Sequence, residues 1–339
     1  MNSFRPTRRA FVAGAAAVLA APGIARAQEV GEVRIAKQFG ISYLPLMIME
    51  DLKLIEKHAA AAGLPNVKTN WLQFAGGAPI NDALISGNLE FAGGGVGPMI
   101  VLWARTKGSL NVKGVASLNS LPLYLNTVNP AVKTIADFTD KDRIGLPAVR
   151  VSIQAITLQM ACEKAFGVGK HDRLDNITVS MSHPDAMNAM MSGKSEITAH
   201  FGSPPFQNLQ LQDAKVKRVL SNYEVLGGPC SFNFVWTTDK VRTQNPRVYK
   251  AFQDALVEAQ AIITNDKNRA ADIYMRVEKG APPKEFVMSL LNDPQHEFTV
   301  VPKNTMKYAE FMQRTGTVKE KPADWKEMFF PGLHGVQGS

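Results

Sequence analysis

Ala83-Leu-Ile-Ser-Gly-Asn-Leu-Glu-Phe-Ala-Gly-Gly-Gly-Val-Gly-Pro98 is the stretch on which the fold turns, because the chain writes a version of it again as Ala189-Met-Met-Ser-Gly-Lys-Ser-Glu-Ile-Thr-Ala-His-Phe-Gly-Ser-Pro204. At a constant offset of 106, Ala83, Ser86, Gly87, Glu90 and Pro98 fall on Ala189, Ser192, Gly193, Glu196 and Pro204. Five identities in sixteen positions, where ordinary composition gives about one by chance, point to a repeated unit. Each copy reads as a helix end, a glycine in the left-handed position after it, a short buried strand, and a loop stopped by proline. Upstream the echo continues, since Arg34-Ile35 and Arg143-Ile144 each begin a strand ahead of a helix carrying a Glu-Lys pair, Glu56-Lys57 and Glu163-Lys164. Two β-loop-α-β-α-β lobes are the simplest account; the other is that any two α/β segments share such punctuation. Both make the chain α/β.

Working outward, periodicity predicts strands at 33–36, 67–74, 89–92, 112–118, 121–127, 143–147, 177–181, 196–199, 216–220 and 230–237. It predicts one long helix over 44–62, another from Pro79 to Ser86, one from Pro98 through Trp103, and one over 153–166 with Ser152 as N-cap. His183-Pro184-Asp185 opens a further helix that Ser192-Gly193 closes. Gly93 to Gly97 reads as a loop whose backbone approaches something closely. From Asn245 onward the pattern is helical, and Trp325, Phe329 and Phe330 are expected to pack a C-terminal helix. The run at 230–237 carries the chain back to the first half, so the expected organisation is a lobe of 28–125 with 229–339 and a second lobe of 126–228. Two crossings between lobes are the topology of a hinged clamshell. Ligands of open α/β sheets sit at strand carboxyl ends and helix N-termini, which places the site in the cleft.

The 339 residues are 45% hydrophobic and 20% charged, which excludes disordered and collagen-like classes. The formal charge of +8 is inflated by Arg5, Arg8, Arg9 and Arg26; without them 34 basic residues face 30 acidic ones, leaving +4. No long basic run or RNA-binding aromatic motif occurs, so no nucleic-acid partner is expected. Residues 1–27 have the form of an export signal: Thr7-Arg8-Arg9-Ala10-Phe11-Val12, an alanine-rich apolar run, and Ala25-Arg26-Ala27 as a small-x-small cleavage site. It resembles a twin-arginine signal, with an ordinary secretory signal as the other reading, and both place the mature protein in the periplasm. Cys162 lies on an apolar helix face and is expected to be buried and inert; whether it bonds to Cys230 is left open by spacing alone.

Chemistry-bearing motifs fail on inspection. Gly193-Lys194-Ser195 resembles the tail of a phosphate loop, but Asn188 stands where that loop needs glycine. Gly95-Val-Gly97 starts like a dinucleotide fingerprint, but Ile100 takes the third glycine position. The six histidines never stand at metal-ligand spacing, and no cofactor is expected.

With the leader, residues 34–38, Phe74-Ala-Gly-Gly77, Ser86-Gly87, Gly95 to Pro98 and the Ser152 loop in view, residues 28–331 resemble the nitrate/sulfonate/taurine class of periplasmic substrate-binding proteins. The resemblance implies a type II periplasmic-binding-protein fold, two α/β lobes joined by two crossover strands, acting without catalysis as a monomer that docks on the transmembrane subunits of an ABC permease. It implies ligand contacts from Gln38, Phe39 and Gly40 after the first strand, and from Gly76, Gly77 and Ala78, where the class commonly has a Ser-Gly pair and this chain lacks the hydroxyl. Gly95 and Gly97 follow in the next loop, and Arg150, Val151 and Ser152 in the second lobe. Phe201 falls where many members have a stacking Trp, beside His200. Gly202 stands where members often have Asp, which removes an ammonium partner and weakens a taurine-like assignment. Arg150 is the expected anchor of a small organic anion, a sulfonate or carboxylate. Each residue also has a plainer reading: Arg150 as a solvated loop arginine, His200 and Phe201 as core, Gln38 and the glycines as turn residues. Relatives in this class also include receptors for neutral heteroaromatics such as a thiamine pyrimidine precursor, with Phe39, Trp71, Phe74 and Phe201 as stacking faces, and an enzyme on the same fold is a third reading.

Overall fold

The structure, a computed structural model, describes residues 29–339, so the expected signal segment 1–27 lies outside the described residues. Among the described residues ten strands carry the fold: β1 (Glu32–Lys37), β2 (Lys68–Gln73), β3 (Phe91–Gly95), β4 (Lys113–Ser117), β5 (Tyr124–Thr127), β6 (Ile144–Leu146), β7 (Thr178–Ser180), β8 (Ala199–Phe201), β9 (Lys217–Ser221) and β10 (Asn233–Thr237). They form two five-stranded sheets ordered β2-β1-β3-β10-β4 and β7-β6-β8-β5-β9. The orders are the same with one substitution: β10 runs antiparallel between β3 and β4 in the first sheet, and β5 antiparallel between β8 and β9 in the second. The duplication read from Ser86-Gly87 and Ser192-Gly193 is therefore present in the topology. Gly87 (φ 74°) and Gly193 (φ 62°) both take the left-handed conformation that ends a helix without a Cβ clash.

The strand that completes each sheet reaches it by crossing from the other half. Residues 118–123 lead from β4 into β5, and residues 222–232 lead from β9 back to β10. The crossings pair with each other at Ser120 and Ser231, and Leu118 N–H donates to the Asn233 carbonyl at 2.8 Å. Ser120 also exchanges backbone bonds with Glu297, so a third segment flanks the crossings. The Thr305–Arg314 helix packs on both Val96–Thr106 of the first half and Ile153–Phe166 of the second. Its Tyr308 hydroxyl lies 3.1 Å from Thr157 Oγ1, and Arg314 pairs with Glu163 at 2.6 Å. One continuous apolar core runs through both halves, from Ile35 and Phe91 to Ile144, Phe201 and Phe234.

Several expectations are corrected. The helix expected over 44–62 is two, Leu44–Asp51 and Leu54–Ala61, because Lys53 takes φ 50° between them and turns Leu54, Ile55 and Ala59 inward. The glycine run Gly93 to Gly95 belongs to β3, not to a loop: on a strand buried on both faces the absent side chains admit Leu46 and Trp236 to the gap. β8 starts at Ala199, so the run at 196–198 only leads into it. Trp325 opens a 3-10 turn, Trp325–Met328, in place of a C-terminal α-helix, and Phe329 and Phe330 follow it; the Phe329 ring covers Gly114 of β4, and the Phe330 ring meets Tyr249 of the Pro246–Asn265 helix edge-on. Cys162 and Cys230 are free and buried, and burial pushes both thiols up to about 12.

Candidate functional site

Four helices, two from each half, begin at the line where the lobes meet. In the first half Gly77–Ile85 starts behind Gly76 and Val96–Thr106 behind Gly95, and neither glycine has a side chain to cap the helix. In the second half Ile153–Phe166 starts at Ser152, whose hydroxyl accepts from Ala155 N–H at 3.2 Å, and His183–Ser192 starts at Ser182, whose hydroxyl accepts from Asp185 N–H at 3.3 Å. Gly77, Gly95, Ser152, Ile153 and His183 from these four starts line one cavity, together with Gln38, Tyr43, Gln154 and Asn233. Neither a carboxylate nor a cationic side chain is among its lining residues. The site thus offers positive helix ends and neutral donors, which suit the oxygens of an anion. Its volume is only about 20 Å³, room for about one water.

The walls are drawn together by backbone contacts that require glycine. A Cβ on Gly97 would lie 2.2 Å from the carbonyl oxygen of Val151, and one on Gly76 2.6 Å from that of Pro147. Both are contacts between the two halves. Gly40 (φ 98°) packs on the Pro204 carbonyl, and its N–H donates to the buried Glu278 carboxylate at 3.1 Å. Burial pushes Glu278 up to about 7, although the Gly40 N–H and Lys37 oppose the shift. Outside the cavity, and sharing Pro147 with it, a wider depression of about 640 Å³ lies between Gly76, Ala78 and Pro79 on one side and Ser180, Ser182 and Asp185 on the other.

The residues expected from sequence separate into three groups. Gln38, Gly77, Gly95 and Ser152 line the cavity; Gly76 and Ala78 line the outer depression; Gly40, Gly97 and Val151 form the contact between halves. Phe39, partly buried, and Trp71, Phe74 and Phe201 line neither space. Phe201 is corrected from a stacking face to core: it is 0% exposed on β8 and belongs to the apolar cluster. Arg150 is also corrected. Its left-handed backbone (φ 65°) turns the side chain out to solvent, 76% exposed, with Nε 3.7 Å from Asp175, so it does not reach the cavity. His200 stands behind the wall, with Nε2 2.9 Å from His183 Nδ1. Burial lowers both rings, His200 to about 4 and His183 well below its ordinary value, so both are neutral at physiological pH.

Sequence reasoning missed Tyr43, Gln154, His183 and Asn233. For His183 the signal was present: the offset of 106 that aligns the two copies carries Gly77 onto His183. The cavity is where this topology puts a ligand, at the strand carboxyl ends, enclosed by loops of two repeats. The chain has the type II periplasmic-binding-protein fold.

Solved structures with this fold include the alkanesulfonate-binding protein SsuA from Xanthomonas axonopodis pv. citri bound to MOPS, at 19% identity and a TM-score of 0.66, covering 86% of this chain and 93% of that one. The periplasmic aliphatic sulphonate binding protein SsuA from Escherichia coli is similar at 17% identity and 0.64, over 92% and 95%. The periplasmic nitrate-binding protein NrtA from Synechocystis PCC 6803 is similar at 16% identity and 0.59, over 78% and 70%. No protein-family model and no curated protein sequence matches the chain.

Proposed function

We propose that this protein is the non-catalytic, periplasmic receptor of an ABC importer, which takes a small organic anion, sulfonate- or carboxylate-like, between residues 28–125 with 229–339 and residues 126–228 and delivers it to an inner-membrane permease. The observation that carries this reading is the meeting of four helix N-termini, two from each half, on a cavity lined by neutral donors. Each terminus favours an anion by about 0.3–1 kcal/mol, and by up to about 2 when partly buried. A micromolar ligand needs about 8 kcal/mol. Four termini reach that figure without any cation only at the partly buried value of about 2 kcal/mol each, to which neutral hydrogen bonds from groups such as Gln38 and Gln154 add about 1 kcal/mol apiece. Fold similarity to sulfonate- and nitrate-binding proteins supports the same class of ligand, and the form of the leader supports export. Because the cavity holds about 20 Å³, entry requires the halves to part about the 118–123 and 222–232 crossings.

A thermal-shift panel of alkanesulfonates, carboxylates, nitrate and neutral pyrimidines tests the reading. An anion at about 100 times its Kd is expected to add about 2.7 kcal/mol of stability. Stabilisation by the neutral pyrimidines alone would replace it with the heteroaromatic receptor.

A further inference from the structure

Behind the cavity runs a chain of side-chain hydrogen bonds whose direction is fixed at one end. Asn126, buried on β5, donates from Nδ2 to the backbone carbonyl of Gln207 at 2.9 Å. A carbonyl only accepts, so the Asn126 amide has one orientation, and its other N–H goes to Gln210 Oε1 at 3.1 Å. Gln210 therefore turns its NH₂ toward His200 Nδ1, 3.0 Å away, and that nitrogen must be bare. A neutral imidazole with a bare Nδ1 carries its proton on Nε2. That proton faces His183 Nδ1 at 2.9 Å, which leaves His183 in turn with a bare Nδ1 and a proton on Nε2. The alternatives conflict: a second proton on either ring sets two N–H groups face to face, and the reverse direction strips His200 of both protons.

The last link opens into the cleft. His183 Nε2 lies 3.2 Å from Gln154 Nε2, and both residues line the cavity, 5% and 1% exposed. With the Gln154 amide turned this way the two are both donors and do not satisfy one another, and an acceptor oxygen set against both does. Resting on the reading of the cleft as an anion site, we propose that His183, held as an Nε2–H donor by the Asn126–Gln210–His200 relay, binds the ligand together with Gln154 and selects a bare acceptor oxygen at that point. His183 and Gln154 are contact residues. His200 and Gln210 are positioning residues that act through the His183 ring.

Nitrogen-15 spectra of histidine-labelled full-length protein test the relay without any ligand. Nδ1 bare and Nε2 protonated on both His183 and His200 is the expected result, and an Nδ1–H form of either ring overturns it. Methanesulfonate and nitrate are then titrated in. The His183 Nε2–H resonance is expected to move with occupancy while that of His200 stays, and His183→Phe, which keeps a flat ring against Phe206, is expected to raise the methanesulfonate Kd at least about tenfold. Binding of either anion with no movement of the His183 signal and an unchanged Kd in the variant refutes the contact while leaving the anion reading intact. If neither of these anions nor a carboxylate such as acetate binds the unmodified protein, the anion reading falls and the contact with it, whatever the tautomers.

Discussion

At the scale of single residues, the cleft depends on what certain positions lack. Gly97 gives the Val151 carbonyl oxygen a place that a methyl group would occupy from 2.2 Å. Neither partner is a flexible side chain, so relief requires the halves to separate. Gly97→Ala is therefore expected to weaken anion binding at least about tenfold, roughly 1.4 kcal/mol, as read by titration calorimetry. Arg150→Ala, by contrast, is expected to leave affinity within about twofold in the same measurement, since the side chain is 76% exposed and outside the cavity. Glu278 gives a pH signature. Its folded pKa of about 7 stands above the unfolded value of 4.5, so its contribution is full below the unfolded value and is lost as pH rises through 7. Glu278→Gln, which keeps an acceptor for Gly40, should match the parent near pH 4 and exceed it by roughly 3 kcal/mol at pH 8; melts at the two pH values check this. Such residues also mark what sequence leaves unread. Ser152, Gly77, Gly95 and Gln38 were legible because helix starts and post-strand loops have local signatures, whereas Arg150 was misplaced because its backbone twist is set by loop packing, which has none.

At the scale of elements, the helix starts do two things at once: they end strands and they aim N–H groups at the cleft. Ser152 is the one such cap whose side chain also lines the cavity. Ser152→Ala is expected to cost about 1 kcal/mol of stability, lowering the melt by about 1–2 °C, and to weaken anion binding as well. A cap mutation that moved the melt alone would place the hydroxyl outside recognition. Element identity was mostly readable: the strand runs, the helices over 153–166, 183–192 and 305–314, and the glycine stops all carry periodicity or punctuation. The break at Lys53 was not, because a lysine in the left-handed region is a response to the packing of Leu54 and Ile55 rather than a local preference. The place of β3 was missed for a related reason, since three glycines lack the side chains from which a strand is recognised.

At the scale of the whole molecule, the two halves are joined by two crossings, by the Thr305–Arg314 helix seated on both, and by one continuous core. They are expected to unfold together. Calorimetry should give a single transition with calorimetric and van't Hoff enthalpies in agreement, and two resolved transitions would contradict the shared core. The internal repeat made the pairing of sheets legible, and the burial of Cys162 was readable from its apolar helix face, but the absence of a bond to Cys230, the seat of the aromatic tail on β4 and the docking of the Thr305–Arg314 helix on both halves were settled only by packing. Each sheet is completed by a segment, β5 or β10, that arrives directly after a strand of the other sheet, β4 or β9. A fragment of residues 124–221 would carry every strand of its own sheet, whereas no single cut can release the first half with β10 unless the whole second half goes with it.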